Sequence, residues 1–173
     1  MNSTLIINIF RFVSLLLLQV VLFDNIDLFG FVTPYPYILF ILLYPLNSNR
    51  AGLILASFFL GLILDGFNNS GGVQAAACVS LAYFREPFLK FSFGISYEYH
   101  MMKITDKIST ELLTYLGISI LFHHLIFYSL EIFNLQFTLE ILLRTVLSSA
   151  LTLIFIIILI FLTKTAKKWE NYY

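Results

Sequence analysis

Two adjacent histidines, His123 and His124, lie in an apolar stretch and offer the most versatile chemistry in the chain. Imidazole binds haem iron or metal ions and carries protons near neutral pH. Adjacent residues of a helix point about 100° apart, so both rings cannot easily bind one metal ion. The chain has one other histidine, His100, and one cysteine, Cys78. We therefore expect two neutral, buried imidazoles that hydrogen-bond to neighbouring helices; the alternative is a haem, metal or proton site.

Charged residues lie at the ends of two apolar stretches. Asp65 comes just before the polar turn 66–71. Two interpretations fit this position: a solvated carboxylate, and a carboxylate with a structural or partner-binding role. Arg144 lies one helical turn from Glu140 and is expected near Glu131. A carboxylate partner lowers the free-energy cost of holding an arginine in a membrane. We therefore expect Arg144 to pair with one of these two glutamates.

Polar residues follow one face of the first and of the last apolar stretch. On the first, Asn8, Arg11 and Gln19 are expected to face other helices, with Arg11 extending to the headgroups. On the last, five residues share an arc of about 140° on a helix: Arg144, Thr145, Ser148, Ser149 and Thr152. Two interpretations stay open for this arc. It packs within the protein, or it binds the transmembrane anchor of a partner that also contacts Asp65.

The sequence contains no recognisable catalytic constellation. It lacks a Gly-x-Ser-x-Gly elbow, a phosphate-binding glycine loop, a His-Glu-x-x-His motif and paired carboxylates within an apolar stretch. Asp65-Gly66 begins like the phosphatidyltransferase signature, but the later aspartates that bind metal and substrate do not follow. We therefore expect neither an enzyme nor a bound cofactor or metal.

The elements that position these residues are predicted to be membrane helices. Hydrophobic residues make up 60% and charged residues 12% of the 173 residues, against roughly 45–50% and about 25% in soluble domains. The apolar runs lack the two-residue alternation of barrel strands, which leaves helices. The net charge is zero, and no basic run favours nucleic-acid binding. The composition therefore predicts an all-α integral membrane protein.

About six transmembrane helices are predicted in a single domain that covers 1–173. They lie near 5–23, 34–46, 51–65, 72–91, 112–132 and 140–163. The second and third are short for the about 20 residues that a span needs. Pro34 and Pro36 suit the start of the second span, and Pro45 suits its end. The alternative is a re-entrant hairpin at 34–65 with both ends on one face of the membrane.

The positions of lysine and arginine predict the orientation, because short cytoplasmic loops carry the positive charge. The loops 24–33, 66–71 and 133–139 contain neither residue. The other side holds eight: Arg50, Arg85, Lys90, Lys103, Lys107, Lys164, Lys167 and Lys168. Both termini and the loop 85–111 are therefore predicted to be cytoplasmic, and this count disfavours the re-entrant hairpin.

Short side chains recur every four positions in the third and fourth spans. They are Ser57, Gly61 and Asp65 in one span, and Gly72, Ala76 and Ser80 in the next. Small residues let two helix backbones approach closely in lipid. The two spans are therefore predicted to form a tight hairpin with its tip outside.

Several stretches resemble the family of the rod shape-determining protein MreD. They are NIDLFGFVTP (25–34) after a leucine-rich first helix with Gln19, GLILDGF (61–67) and NSGGVQAAA (69–77). The pairs His123-His124 and Leu143-Arg144 also resemble members of that family. Because the order and spacing of these motifs, the length and the six predicted spans agree, the resemblance covers essentially the whole chain.

The resemblance implies a non-catalytic scaffold subunit of the bacterial cell-elongation machinery, located in the inner (cytoplasmic) membrane. Members bind MreC, a membrane-anchored periplasmic protein. Directly or through MreC, they connect with the actin-like MreB. They also connect with the SEDS glycosyltransferase and the class B penicillin-binding transpeptidase that extend peptidoglycan. The family supplies no catalytic residue to carry over.

A transporter subunit is the chief alternative from another class. The substrate-binding component of energy-coupling-factor vitamin transporters is also a six-helix protein of similar size, and a similar fold is expected. Those components use Ala-x-x-x-Ala packing on their first helix, whereas this first helix has no alanine. A vitamin site would need polar groups that converge in the outer half. Only Asp65, Glu131, Glu140 and Arg144 qualify.

Overall fold

A computed structural model describes residues 2–28, 30–46, 48–94 and 109–170. The described residues form six α-helices: α1 (Asn2–Val21), α2 (Ile38–Leu42), α3 (Arg50–Asn68), α4 (Val73–Phe93), α5 (Thr110–Ile132) and α6 (Thr138–Glu170). Two 3-10 turns, Phe23–Asn25 and Leu135–Phe137, follow α1 and precede α6. Leu28 and Val32 form an isolated antiparallel bridge in the loop before α2.

Four helical stretches are long and apolar enough to cross a membrane: Leu5–Asn25, Arg50–Asn68, Thr110–Ile132 and Thr138–Thr163. Large apolar side chains cover their outward faces; Phe10 is 74% exposed and Phe161 is 62% exposed. The described fold is thus all-helical with membrane-crossing helices, as the composition predicted. α4 has 21 residues but carries Arg85, Glu86 and Lys90 in its second half, which lowers its hydropathy.

Helices α1 and α3–α6 lie at five of the predicted spans, but no continuous helix covers 34–46. The helix there is α2, whose five residues are about 7.5 Å long, while a bilayer core measures about 30 Å. Proline disfavours the helical conformation in the residue before it. Tyr35 and Tyr44 precede Pro36 and Pro45, so these prolines confine the helix to the few residues between them.

Successive passes of the chain run in opposite directions. α1 is antiparallel to residues 34–43, because Gln19 contacts Pro34 and Arg11 contacts Leu43. Corresponding contacts show that residues 34–43 run antiparallel to α5. The pairs α3 and α4, α4 and α5, and α5 and α6 are antiparallel as well. We call the end with the starts of α1, α3 and α5 the inner end. Of the predicted loop 85–111, residues 95–108 lie outside the described residues.

α3 and α4 pack backbone against backbone. A Cβ atom on Gly61 would lie 2.4 Å from the Cα of Ala75, much closer than two such atoms can approach. Ser57 and Asp65, one turn to either side of Gly61, are also buried. The tight hairpin is therefore confirmed on the α3 side. On the α4 side the predicted face was wrong, because Ala76 is exposed and Ala75 lies opposite Gly61.

Candidate functional site

The centre of the bundle is occupied by residues 32–44, which we call the central segment. All of its residues from Pro34 to Leu42 are buried. Only five of its residues are helical; turn hydrogen bonds satisfy several of its peptide groups, but others, such as the N–H of Tyr35 and the carbonyl of Leu42, have no backbone partner. Non-helical backbone at membrane depth is tolerated only inside protein or beside a water-filled cavity. Side chains of the surrounding helices must therefore satisfy these groups.

α1 and α6 satisfy the outer part of the central segment. The Nε2 of Gln19, on α1, donates to the carbonyl oxygen of Pro34 at 3.2 Å. The backbone N–H of Tyr35 donates to the Oγ1 of Thr152, on α6, at 3.0 Å. Pro34 and Pro36 have no N–H, so they add no donor that would need a partner. Proline thus suits a buried stretch that is not helical.

Thr152 and His124 form a hydrogen-bonded chain with the central segment. The Nδ1 of His124 lies 2.8 Å from the carbonyl oxygen of Ile120. A carbonyl can only accept, so Nδ1 carries the proton and Nε2 is the acceptor of a neutral ring. That Nε2 lies 3.2 Å from the Oγ1 of Thr152. The hydroxyl therefore accepts from the N–H of Tyr35 and donates to His124.

His123 contacts the central segment from α5. Its Nε2 lies 3.2 Å from the hydroxyl of Tyr37 and 4.0 Å from the Sγ of Cys78. Its Nδ1 is buried and has no hydrogen-bond partner among the described residues. The centroids of the two imidazoles are 5.5 Å apart, and His124 contacts α6 instead. Within the described residues, no group of three or more His, Cys, Asp or Glu side chains is placed to hold a metal ion.

Arg85, on α4, binds the inner end of the central segment. Its Nη2 donates to the carbonyl oxygen of Leu42 at 3.2 Å and to that of Tyr44. Its Nε donates to the hydroxyl of Tyr115 at 3.3 Å, and this hydroxyl donates in turn to Leu42 at 3.2 Å. These carbonyls form the C-terminal end of α2, which carries partial negative charge. A buried guanidinium is therefore matched to backbone dipoles.

Arg11, on α1, binds the carbonyl oxygen that lies between those two. Its Nη1 donates to Leu43 at 2.8 Å. Two arginines thus converge on three consecutive carbonyl groups, those of residues 42–44. From the sequence we expected Arg11 to extend to the headgroups, and we did not expect this contact with the carbonyl of Leu43. Together with Gln19, Arg11 joins α1 to both ends of the central segment.

Asp65 caps α4 from the last turns of α3. Its Oδ1 accepts from the N–H of Gln74 at 2.9 Å and from the hydroxyl of Ser70. Its Oδ2 accepts from the N–H of Ala75, also at 2.9 Å. A carboxylate at a helix N-terminus satisfies unpaired N–H groups and interacts favourably with the helix dipole. Of the two roles left open for Asp65, the geometry favours the structural one over a solvated carboxylate.

Arg144 and Glu140 form an ion pair at the outer end of α6. The Nη2 of Arg144 lies 2.6 Å from the Oε1 of Glu140, and the two side chains are 28% and 42% exposed. The guanidinium also lies 5.9 Å from the centre of the Phe31 ring, in the loop before α2. Glu140 is thus the partner among the two glutamates considered.

The polar arc of α6 points into the bundle. Ser148 and Thr152 are fully buried, and the hydroxyl of Ser148 lies 2.6 Å from that of Tyr128. Of the two interpretations left open, the structure favours packing within the protein for these two residues, because their hydrogen bonds are made within the chain. Ser149 is also buried, at 5% exposure, and its hydroxyl has no partner among the described residues.

Sequence reasoning missed the roles of Arg85 and Tyr115. Arg85 was counted only as a positive charge at a loop, yet it is 5% exposed. A signal was present, since Cys78, Ala82, Arg85 and Leu89 recur at helical spacing and all four are buried. Tyr115 gave no signal, because a tyrosine in an apolar stretch is equally common at a membrane interface.

In this arrangement, side chains from four helices hold an irregular segment in the interior of the bundle. The residues predicted as candidates divide between two places. His123, His124, Ser148 and Thr152 lie around the central segment and its neighbours, whereas Asp65 and the Arg144–Glu140 pair lie at separate helix ends. No family model, curated protein or solved structure compared with the chain matches it.

Proposed function

We propose that the chain is a non-catalytic membrane scaffold of the bacterial cell-elongation machinery, similar to the MreD family. One observation carries the proposal: five short motifs resemble that family in the same order and spacing along the whole chain. The proposed role is to bind the membrane-anchored MreC. Through MreC, it would connect MreB and the SEDS glycosyltransferase–transpeptidase pair to the sites of peptidoglycan synthesis.

The places of these motifs in the fold support the proposal. Residues 25–34 lead into the central segment, and His123-His124 contacts it. Gly61 and Asp65 form the close contacts of the α3–α4 hairpin with residues 74–75. The motifs therefore coincide with contacts that define the fold, which is where a family that shares a fold would share residues.

The proposed topology has six passes with both termini in the cytoplasm of a bacterium. Four passes are the apolar helices already named, and α4 is the fifth. The central segment is the sixth, shielded from lipid by the others. The length of α3 and the basic residues at the inner end favour this arrangement over a re-entrant hairpin.

The polar groups within the bundle support a scaffold over an enzyme. Gln19, Arg85, His124 and Thr152 each bind the chain's own backbone, so these groups position the fold. The outward surface is apolar. A partner anchor would consequently bind through shape and dispersion along a lipid-facing side of a helix, not through the polar arc of α6.

The proposal is tested by co-expressing the tagged chain with MreC and purifying the complex in mild detergent. A photo-reactive residue is placed at one exposed position on each of the four helices that are long and apolar enough to cross a membrane: Phe10, Phe58, Leu121 or Val146. Crosslinks to MreC from one helix and not from the others locate the interface, and depletion of the chain should round the cells. Failure of the wild-type chain to retain MreC would contradict the proposal.

A substrate-binding transporter subunit is the second candidate, and the central segment favours it. Discontinuous helices with exposed backbone ends bind substrates in many transporters. Here the C-terminal end of α2 is instead bound by Arg85 and Tyr115 of the same chain. Mass spectrometry of the purified protein distinguishes the two, because a transporter subunit would retain a stoichiometric vitamin and a scaffold would retain none.

A further inference from the structure

We infer that the inner end of the bundle binds the phosphate group of an anionic phospholipid between Arg11 and Arg85. This inference concerns a ligand site and does not depend on the proposed function. The two side chains come from α1 and α4 and converge on the carbonyl groups of residues 42–44. They therefore place two positive charges beside each other at the inner end of the bundle.

Neither charge is compensated within the described residues. No Asp or Glu lies within ion-pair distance of Arg11 or Arg85, although Arg50, Lys90 and Arg144 all have such a partner. Backbone carbonyls lower the cost of burial but carry no net charge. Two uncompensated cations in a weakly polar environment attract an anion strongly. The charge balance therefore calls for a negative group that the described residues do not supply.

Both arginines also have donors left for that group. Among the described residues, only the Nη1 of Arg11 has a hydrogen-bond partner, and the Nη1 of Arg85 has none there. Arg11 is half-buried and Arg85 is 5% exposed, so a ligand would reach the site from the side of Arg11. A phosphate accepts several hydrogen bonds from guanidinium groups, often two from one arginine. The available donors match this ligand.

The depth of the site indicates that the phosphate belongs to a lipid. Arg50 is the first residue of α3, and it contacts the carbonyl of Tyr83 and the carboxylate of Glu86. These two residues flank Arg85 on α4, so Arg85 lies level with the end of a membrane-crossing helix. Headgroup phosphates lie at that level, and basic sites between helices on the cytoplasmic side bind anionic lipids.

The test is a titration of the purified protein with lipid in uncharged detergent, read by its thermal midpoint. Phosphatidylglycerol should raise the midpoint and phosphatidylcholine should not. Arg11→Gln should weaken the apparent affinity for phosphatidylglycerol about fivefold, the factor for the loss of one basic residue near an anionic group. The matched control Arg50→Gln removes the same charge at the same end and should leave the affinity unchanged.

Two further measurements keep the inference open to refutation. If Arg11→Gln does not fold, Arg11→Lys is used instead, because it keeps the positive charge. Native mass spectrometry should then find anionic lipid bound to this variant and to the wild type. Equal shifts with both lipids, or equal losses in Arg11→Gln and Arg50→Gln, would overturn the site. Inorganic phosphate that reproduces the whole shift would reassign the site to a free anion and overturn the lipid.

Discussion

The carboxylate of Asp65 accepts a hydrogen bond of 2.9 Å from the backbone N–H of Ala75, so one helix of the hairpin caps the next. Replacing Asp65 by Ala removes this hydrogen bond and the one that the carboxylate accepts from the backbone N–H of Gln74. We expect a loss of about 1–2 kcal/mol in the free energy of unfolding. Asp65→Asn should lose less, because the amide oxygen still accepts. Asp27→Ala, at an exposed carboxylate outside this cap, is the control.

The sole cysteine gives a direct measurement for this and the next two predictions. Cys78 is fully buried, so a thiol-reactive fluorophore reacts with it only when the bundle opens. The temperature of half-reaction in detergent therefore reports unfolding. An Asp65→Ala midpoint equal to that of the wild type would contradict the capping role.

Gly61→Ala tests the close approach of α3 and α4. Its new Cβ atom would meet the backbone of Ala75, which cannot move aside as a flexible side chain can. We expect a loss of about 1–3 kcal/mol, the usual range for overpacking. Gly66→Ala is the matched control on the same helix, since nothing lies within 4 Å of its Cβ position. A control that loses as much as Gly61→Ala would refute the contact.

Thr152→Val tests the hydrogen-bonded chain at the central segment. Valine keeps the shape but leaves the N–H of Tyr35 and the Nε2 of His124 without a partner. An unsatisfied buried group costs about 1–3 kcal/mol. Thr152→Ser should retain most of the stability. Ser149→Ala, on the same buried arc but without a bonded partner, should cost little; a larger loss there than in Thr152→Val would argue against the chain.

The ion pair of Arg144 and Glu140 should contribute little, because both side chains are partly exposed. We expect Glu140→Gln to change the free energy of unfolding by about 0.5 kcal/mol or less. Charge reversal is the sharper test. Glu140→Arg alone should lower accumulation in the membrane, and adding Arg144→Glu should partly restore it. A double variant that accumulates less than either single variant would exclude the pairing.

Labelling of single cysteines in a Cys78→Ala background tests the topology. An impermeant maleimide should react with Asp27→Cys and Gln136→Cys in intact cells, since both positions are exposed in outer loops. Asn49→Cys should react only after the cells are permeabilised. External labelling at Asn49 in addition to Asp27 and Gln136 would contradict the placement of Asn49 in the cytoplasm and would favour the re-entrant alternative.

The five long helices could be predicted from sequence because each satisfies its own backbone. Each of these helices can be identified from its own apolar run and the polar turns beside it, because its backbone hydrogen bonds need no other part of the chain. The central segment could not be predicted in this way, since its partners Tyr115 and Thr152 lie 73 and 117 residues from the groups they bind. An apolar run between prolines resembles a short span whether or not it is helical.

The candidate site was predicted in part for a related reason. The polar arc of α6 indicates a face that avoids lipid, but polarity does not distinguish the chain's own helices from those of a partner. Ser148 and Thr152 therefore had two interpretations, and the packing decided between them. Arg85 was misjudged because its position near a loop outweighed its helical spacing.

The central segment also constrains how the protein is made. Chain synthesis delivers residues 34–43 to the membrane before α4, α5 and α6 exist, and these three helices supply Arg85, Tyr115 and Thr152. Until then, the N–H of Tyr35 and the carbonyl of Leu42 have no permanent partner. Insertion one helix at a time therefore cannot complete this segment. The segment can therefore reach its final hydrogen bonding only after α6, the last helix to be made, has arrived.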